Sequence, residues 1–198
     1  MNKIYFSSDL HLGHNREFIY KPRGFENIYD HDHAIIERFN EVMDWEDDLF
    51  ILGDVMLNDN ENGIKLLQQI PGNKYIIIGN HDTDTRIELY KNIWSVDVLG
   101  YATMFKYGGL HFYLSHYPTI TSNLDENKSL KSRVLNLYGH THQHTNFYDG
   151  RPCNYHVGVD SHNCYPVEIN EIVSDIKAEV DACFKAAEDK PRQSGRVG

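Results

Sequence analysis

The chain has 198 residues, of which 40% are hydrophobic and 24% are charged. This composition is typical of a globular protein with one substantial core. Acidic residues outnumber basic ones by 29 to 19, which gives a formal charge of −10. Long nucleic acids bind chiefly through basic side chains that release counterions, so this balance disfavours broad DNA or RNA binding. A small anionic substrate is compatible with the charge if a bound cation lies where the anion binds.

The cysteines and the hydropathy pattern predict a cytoplasmic protein. Cys153, Cys164 and Cys183 are odd in number and show no C-x-x-C spacing, in a chain large enough to fold without disulfides. The first residues contain no secretory apolar region, and no run approaches the ~20 apolar residues of a membrane span. We therefore expect reduced thiols, a cytoplasmic location and no membrane partner.

Strand-like and helical patterns alternate over the first hundred residues, which is typical of an α/β layer architecture. Buried strands are predicted at residues 4–8, 49–52 and 74–78. Apolar residues at three- and four-residue steps predict an amphipathic helix over 34–43, with Asp30 or Asp32 as its cap. A second, short helix is predicted over 64–70, ended by Pro71-Gly72.

The pattern changes near residue 96 to shorter segments. Alternating stretches at 101–107 and 110–115 around Gly108-Gly109 predict a β-hairpin, and short strands are predicted at 134–138 and 155–159. Residues 167–188 are expected to form a closing helix. We expect a single domain over residues 1–188 and a disordered tail over residues 189–198.

Polar residues fall at the ends of five predicted strands, at the edge where open α/β sheets bind ligands. The five groups are Asp9-Leu-His11, Gly53-Asp54, Gly79-Asn80-His81-Asp82, Ser115-His116 and Gly139-His140-Thr-His142. In an extended backbone residues i and i+2 point the same way, so two of these groups can each present a pair of side chains to one ion. Those pairs are Asp9 with His11 and His140 with His142.

Carboxylate, amide and imidazole donors without thiolate suit Mn²⁺, Fe or Zn²⁺. The candidate ligands number seven, which exceeds one coordination sphere and fits two ions that share a bridging carboxylate. Two ions ~3.5–4 Å apart clamp a phosphoryl group and generate a bridging hydroxide nucleophile near neutral pH. We therefore predict two divalent ions, with Mn²⁺ the first candidate and Fe, Zn²⁺ or Ni²⁺ as alternatives.

This ordered set of five motifs, from Asp9 to His142, resembles the calcineurin-like metallophosphoesterase superfamily. Each motif alone is weak, but five in this order are specific. The run from Asp9 to Asn15 and the phrase Ser115-His-Tyr-Pro118 resemble the small stand-alone bacterial and phage members. The resemblance implies an α/β fold in four layers, with two mixed β-sheets flanked by helices.

The resemblance also implies a role for each residue of the motifs. The implied ligands of one ion are Asp9, His11 and His142, those of the other are Asn80, His116 and His140, and Asp54 bridges the two. His81 would bind no metal and would stabilise the transition state or protonate the leaving oxygen. All seven ligand positions are filled, and no long insertion or cap indicates the substrate.

Several nearby residues have open roles. His14, Asn15 and Arg23 follow the first motif and are candidates for substrate contact, because an arginine can grip a phosphate bidentately. Exposed loop residues have the same composition, which is the alternative. Asp82 is expected to cap a helix that begins near Thr83, with support of His81 as the alternative.

Five further polar residues lie outside the motifs. His31, His33 and His111 are expected to be surface or strand histidines without a chemical role. His144 lies one step beyond the last motif, and Asp160 follows the strand predicted at 155–159. The spacing assigns no role to either of these two residues.

The predicted activity is the hydrolysis of small phosphodiesters, including nucleotide-derived ones, because an open metal site tolerates an ester substituent on either side of phosphorus. A phosphomonoesterase is the close alternative. A metal-dependent nuclease is disfavoured by the charge of −10. A non-catalytic interaction module on the same fold would have lost His81 and several ligands. The sequence does not indicate the oligomeric state.

Overall fold

The computed structural model describes residues 2–121 and 129–188, and within these ranges the chain forms ten β-strands and five α-helices. The strands are β1 (Ile4–Ser7), β2 (Asp48–Leu52), β3 (Asn73–Ile77), β4 (Val96–Gly100), β5 (Ala102–Tyr107), β6 (Leu110–Ser115), β7 (Val134–Tyr138), β8 (Phe147–Tyr148), β9 (Arg151–His156) and β10 (Val167–Glu168). The helices are α1 (Glu17–Tyr20), α2 (Ile28–Val42), α3 (Asn60–Leu67), α4 (Asp84–Lys91) and α5 (Ile169–Glu188). The predicted tail at 189–198 lies outside the described residues, so it stays a prediction, as does the single domain over residues 1–188.

The strands form two mixed five-stranded sheets flanked by helices, which confirms the predicted fold class. The first sheet has the order β10-β1-β2-β3-β4, with β10 antiparallel to its neighbour and the others parallel. The second has the order β5-β6-β7-β9-β8, with the outer strands β5 and β8 antiparallel to their neighbours. Among the described helices, none has the length and apolarity needed to cross a bilayer.

Side-chain alternation gives the first sheet two apolar faces. Leu49 and Ile76 belong to the core between this sheet and the helices α2, α3 and α4. Phe6 and Ile77 belong to a second core, shared with the other sheet and with α5. The ring of Phe6 lies 5.7 Å from that of Phe105 on β5, so aromatic contacts join the two sheets. Complete burial of side chains of this size stabilises the fold by about 1.5–3 kcal/mol each.

Several element boundaries differ from the sequence-based expectations. Neither Asp30 nor Asp32 caps α2, because the Asn27 side chain accepts from the Asp30 amide and the helix begins at Ile28. The strand expected at 155–159 spans Arg151–His156 instead, and α5 begins only after β10. The hairpin at 102–115 is confirmed, with both of its turn glycines at positive φ.

Strand register brings the polar motifs of both sheets to one edge. Ser7, Ile51 and Ile76 are neighbours in the parallel strands β1, β2 and β3, so the loops that follow these strands leave the sheet side by side. A bridge between Ser8 and Gly158 joins this edge to the second sheet. The motifs therefore meet at the junction of the two sheets.

Candidate metal centre

Five of the seven candidate ligands lie on left-handed backbone: Asp9 (φ 56°), His11 (φ 49°), Asp54 (φ 55°), His140 (φ 69°) and His142 (φ 48°). The extended geometry predicted for the two i, i+2 pairs is therefore wrong. A non-glycine residue in this region costs about 1–3 kcal/mol and persists only where its surroundings hold it, as at functional sites. This backbone conformation directs the side chains of successive loops toward a common centre.

The first ligand group consists of Asp9, His11 and His142, whose donor atoms lie within 4.8 Å of one another. The two imidazole Nε2 atoms are 3.3 Å apart, and His142 Nε2 lies 3.9 Å from Asp9 Oδ1. Asp9 and His11 are buried, whereas His142 is partly exposed. These three side chains form one of the two sets that the resemblance implies.

The second group lies beside the first and contains Asp9, Asp54 and His116. His116 Nε2 lies 2.9 Å from Asn80 Oδ1 and 3.2 Å from His140 Nδ1. The structure thus brings all seven predicted ligands together. Asp54 Oδ2 lies 3.6 Å from His116 Nε2 and 3.8 Å from His11 Nε2, so this oxygen stands between the two sets of imidazoles.

Each buried carboxylate accepts a hydrogen bond from the backbone of another loop with one oxygen and turns the other oxygen toward the imidazoles. Asp9 Oδ2 accepts from Ser8 Oγ and from the His140 amide, while Asp9 Oδ1 is buried without a hydrogen-bond partner. Asp54 Oδ1 accepts from the His81 amide, while Oδ2 lies 3.6 Å or more from the three nearest histidine nitrogens. Buried oxygens of this kind fit a cation.

The protonation behaviour of the same groups agrees with a cation site. Burial raises the pKa of the Asp54 carboxyl above its usual value, although His116 opposes the shift. Burial, and then the charge of Arg23, hold the pKa of His11 well below its usual value. A neutral imidazole has a nitrogen lone pair for a metal, and a desolvated carboxylate is stabilised by a nearby positive charge.

Two glycines allow the loops to approach the carboxylates. A Cβ on Gly79 would overlap Asp54 Oδ1, and a Cβ on Gly139 would overlap Ser8 Oγ and Asp9 Oδ2. Close packing at these two positions therefore requires glycine.

Asp82 does not cap α4, contrary to the prediction. The N-cap residue is Thr83, and the carboxylate of Asp82 is buried. Its oxygens accept from the amides of Asp54 (2.9 Å), Val55 (3.3 Å) and Gly79 (2.8 Å) and from the Tyr90 hydroxyl (2.8 Å). Asp82 therefore ties the loop after β2 to the loop after β3.

His81 lies at the open side of the site. Its side chain is 43% exposed, and its Nε2 is 4.0 Å from Asp54 Oδ2. Its backbone is held at both ends, because the amide donates to Asp54 Oδ1 and the carbonyl accepts from Arg86 Nη1. The backbone is anchored while the imidazole faces solvent and the ligand cluster.

The three candidates for substrate contact differ in position. His14 is buried beside His11, with 3.4 Å between their Nδ1 atoms, and burial followed by the charge of His81 lowers the pKa of His14 to about 4. Asn15 is exposed. Arg23 is bound to other protein groups, since its side chain is only 1% exposed and pairs with Asp160. Its guanidinium is therefore not free to grip a phosphate.

Sequence reasoning missed the supporting role of Asp160 and misplaced His31. Asp160 Oδ2 lies 3.0 Å from His142 Nδ1. Burial alone would raise the pKa of Asp160, but the hydrogen bond with His142 and the adjacent Arg23 lower it overall. His31 is completely buried in α2, where it contacts Arg23 and Asp32, so it is not a surface or strand histidine. No spacing signal links these residues.

Comparison with known proteins identifies the class of this site. The family model described as "Calcineurin-like phosphoesterase superfamily domain" matches residues 3–159, well over half of the chain. The chain belongs to this superfamily, whose members depend on metal ions, and it is a phosphoesterase.

Individual relatives include phage and archaeal proteins. The Gene 66 protein of Mycobacterium phage D29 is 30% identical, over 89% of this chain and 98% of its own length. An uncharacterized protein of Methanocaldococcus jannaschii is 29% identical, over 87% and 90%. A solved structure of a protein of unknown function from Aquifex aeolicus is similar in fold, with a TM-score of 0.66 and 23% identity, over 88% of this chain and 99% of that one.

Replacement of Asp82 should loosen the loops that carry Asp54 and Asn80. In Asp82→Asn an amide NH₂ group would face backbone N–H donors, and hydrogen bonds to a charged acceptor are worth about 1.5–3 kcal/mol each. We expect a loss of about 2–3 kcal/mol in the free energy of unfolding, measured by urea denaturation of the metal-free protein. Asp84→Asn, at an exposed position two residues away, is the matched control. Equal stability of the two variants would contradict the loop-tying role.

Proposed function

We propose that this phosphoesterase hydrolyses small phosphodiesters, including nucleotide-derived ones, with two divalent metal ions. The observation that carries the proposal is the position of Asp54 Oδ2, within 3.8 Å of one imidazole from each ligand group. A carboxylate oxygen that lies between two donor sets suits a ligand shared by two ions. When bound, the two ions would supply Lewis-acid stabilisation of phosphate charge and activate water near neutral pH.

The chain's own residues divide into ligands and a proton donor. Asp9, His11 and His142 would hold one ion, and Asn80, His116 and His140 the other, with Asp54 shared between them. This donor set, which contains no thiolate, favours Mn²⁺, with Fe, Zn²⁺ and Ni²⁺ as alternatives.

His81 is the proposed catalytic residue outside the ligand set. Its imidazole is 43% exposed beside the ligand cluster, and its backbone is anchored to Asp54 and Arg86. An imidazolium at this position would hydrogen-bond a phosphate oxygen and donate a proton at Nε2 to the departing alkoxide. His14, buried beside His11 with its ring 6.3 Å from that of His81, would support this part of the site, and Asn15 is a candidate for substrate contact.

The openness of the site supports small diester substrates. Asn80, His81 and His140 are at least partly exposed, so a second ester substituent on phosphorus would meet solvent rather than protein. Two exposed aromatic rings flank the cluster: Phe18 lies 5.6 Å from the His14 ring and Tyr117 lies 4.6 Å from the His140 ring. Exposed aromatic faces can stack on a nucleobase, which favours nucleotide-derived substrates.

The net charge indicates which class of substrate or partner the protein can bind, and the cysteines indicate where the protein is located. The net charge of −10 disfavours long polyanions, while two divalent ions would attract one small phosphate ester. The free thiols of Cys153 and Cys164 are buried and that of Cys183 is exposed. Reduced thiols of this kind support the proposed cytoplasmic location.

The metal stoichiometry should be two ions per chain, and Asp54→Ala should weaken the binding of both because it removes the shared ligand. Isothermal titration with Mn²⁺, together with elemental analysis of the loaded protein, measures this. Asp97→Ala, at an exposed position on β4, is the matched control. A single ion per wild-type chain at saturating Mn²⁺, with unchanged binding in Asp54→Ala, would contradict a bridging carboxylate.

His81→Ala should separate catalysis from metal binding. The variant should keep both ions, because His81 is not in the proposed ligand set, and lose about 10²–10⁴-fold in kcat, the usual contribution of a positioned acid or base. His33→Ala, an exposed histidine on α2, is the control. Loss of metal in His81→Ala, or full activity, would show that the assignment is wrong.

The substrate class is tested by comparing kcat/KM for bis-aryl and mono-aryl phosphates in Mn²⁺. We expect the diester to be preferred, because the exposed side of the site, at Asn80, His81 and His140, leaves room for its second substituent. A preference for the monoester of more than about tenfold, ~1.4 kcal/mol of transition-state discrimination, would assign the phosphomonoesterase alternative instead.

A further inference from the structure

Arg23 and Asp160 form a buried, bidentate ion pair next to the first ligand group. Arg23 Nε lies 2.8 Å from Asp160 Oδ1, and Nη2 lies 2.9 Å from Oδ2. The two side chains are 1% and 4% exposed. Burial of two charges costs several kcal/mol, which is offset only by close geometry and further hydrogen bonds. The pair is 137 positions apart in the chain and joins the loop before α2 to the segment after β9.

Two further contacts of Arg23 reach the backbone that carries Asp9. Nη2 donates to the Asp9 carbonyl at 2.9 Å, and Nη1 lies 3.5 Å from the Leu10 carbonyl. Asp9 and His11 both lie on left-handed backbone, which needs external support to persist. Arg23 therefore supports the strained segment from which two candidate ligands project.

A second line of hydrogen bonds holds Arg23 itself and reaches the same loop. Arg23 Nη1 lies 2.8 Å from His31 Nε2, and His31 Nδ1 lies 2.9 Å from Asp32 Oδ1. Asp32 Oδ2 accepts from the Gly13 amide. The loop from Asp9 to Gly13 is thus held at both ends by one connected set of buried polar side chains.

Asp160 acts on the third member of the ligand group. Its Oδ2 lies 3.0 Å from His142 Nδ1. A carboxylate is an acceptor only, and Asp160 Oδ2 lies closer to Nδ1 than the donor Arg23 Nη2 does at 3.3 Å. The shorter contact therefore places a proton on Nδ1 and leaves Nε2, the atom near His11 and Asp9, as the side that faces the cluster. One ion pair therefore contacts the Asp9 carbonyl, the carbonyl of Leu10 directly before His11, and the Nδ1 atom of His142.

We propose that Arg23 and Asp160 are positioning residues that preset the Asp9, His11 and His142 group to receive its ion, without touching the substrate. The proposal rests on the two-ion centre described above. Among the described residues the pair forms no hydrogen bond with Asn80, His116 or His140, so its effect should fall mainly on one of the two ions.

The test uses Arg23→Lys and Asp160→Asn, which keep approximate size but remove the bidentate geometry. Manganese titration of the full chain should show one ion bound about 10–100-fold more weakly, the usual effect of losing a group that orients a ligand, and the other ion unchanged. His142→Ala and Asn80→Ala serve as references that identify which binding step belongs to which group. Arg16→Lys and Asp84→Asn, both at exposed positions, are the matched controls.

A second measurement needs neither metal nor activity. In the metal-free wild-type protein, nitrogen and proton NMR should show His142 as the Nδ1–H tautomer with a slowly exchanging imidazole proton. Asp160→Asn should speed the exchange of this proton, since the charged acceptor has been removed.

The outcomes separate this proposal from the proposed function. Fewer than two ions in the wild type would contradict the two-ion centre before any variant is compared. With two ions in the wild type, selective weakening of one ion in both variants supports the positioning role. Unchanged binding, equal weakening of both ions, or failure of both variants to fold would overturn it, the last two by showing a general role in stability.

Discussion

Two buried carboxylates, Asp9 and Asp54, lie side by side at the ends of adjacent strands, and the surrounding structure depends on holding them there. Like charges in a low-dielectric site repel each other, so this arrangement is unfavourable unless cations or directed donors compensate it. The chain supplies donors to one oxygen of each carboxylate and aims the other at histidines. The site is therefore prepared for positive charge at the junction of the two sheets.

The surrounding polar residues form two separate supports, one for each part of the site. The carboxylate of Asp82 accepts hydrogen bonds from the amides of Asp54, Val55 and Gly79 and so joins the loops after β2 and β3. Arg23, together with Asp160, holds the loop after β1 and the ring of His142. Both supports consist of buried charged groups that accept or donate several hydrogen bonds, which is the condition under which such groups are tolerated in a protein interior.

At this edge of the fold, the features that build the candidate site lower the stability of the protein. Left-handed backbone at five candidate ligands carries a conformational cost, and the buried ion pair carries a desolvation cost. The two apolar cores, one beneath the helices and one between the sheets, offset these costs. The parallel strands are in register, so the loops that follow them lie side by side although they are distant in sequence. The side chains on these loops are thereby held at fixed distances from one another, as a metal-dependent reaction requires.

The sequence by itself determined the strand-end motifs, the seven candidate ligands, the position of His81 and the α/β class, because these depend on local periodicity and on residue types at short spacing. The tertiary structure alone decided that the Asp9 and His11 backbone is left-handed, that Asp82 binds loop amides rather than capping α4, and that Arg23 is paired with Asp160. The contacts of Asp82 with the loop after β2 and of Arg23 with Asp160 join groups 27 to 137 positions apart. No local pattern encodes them, since a buried arginine and an exposed loop arginine look alike until the partner that neutralises the charge has been brought beside it by folding.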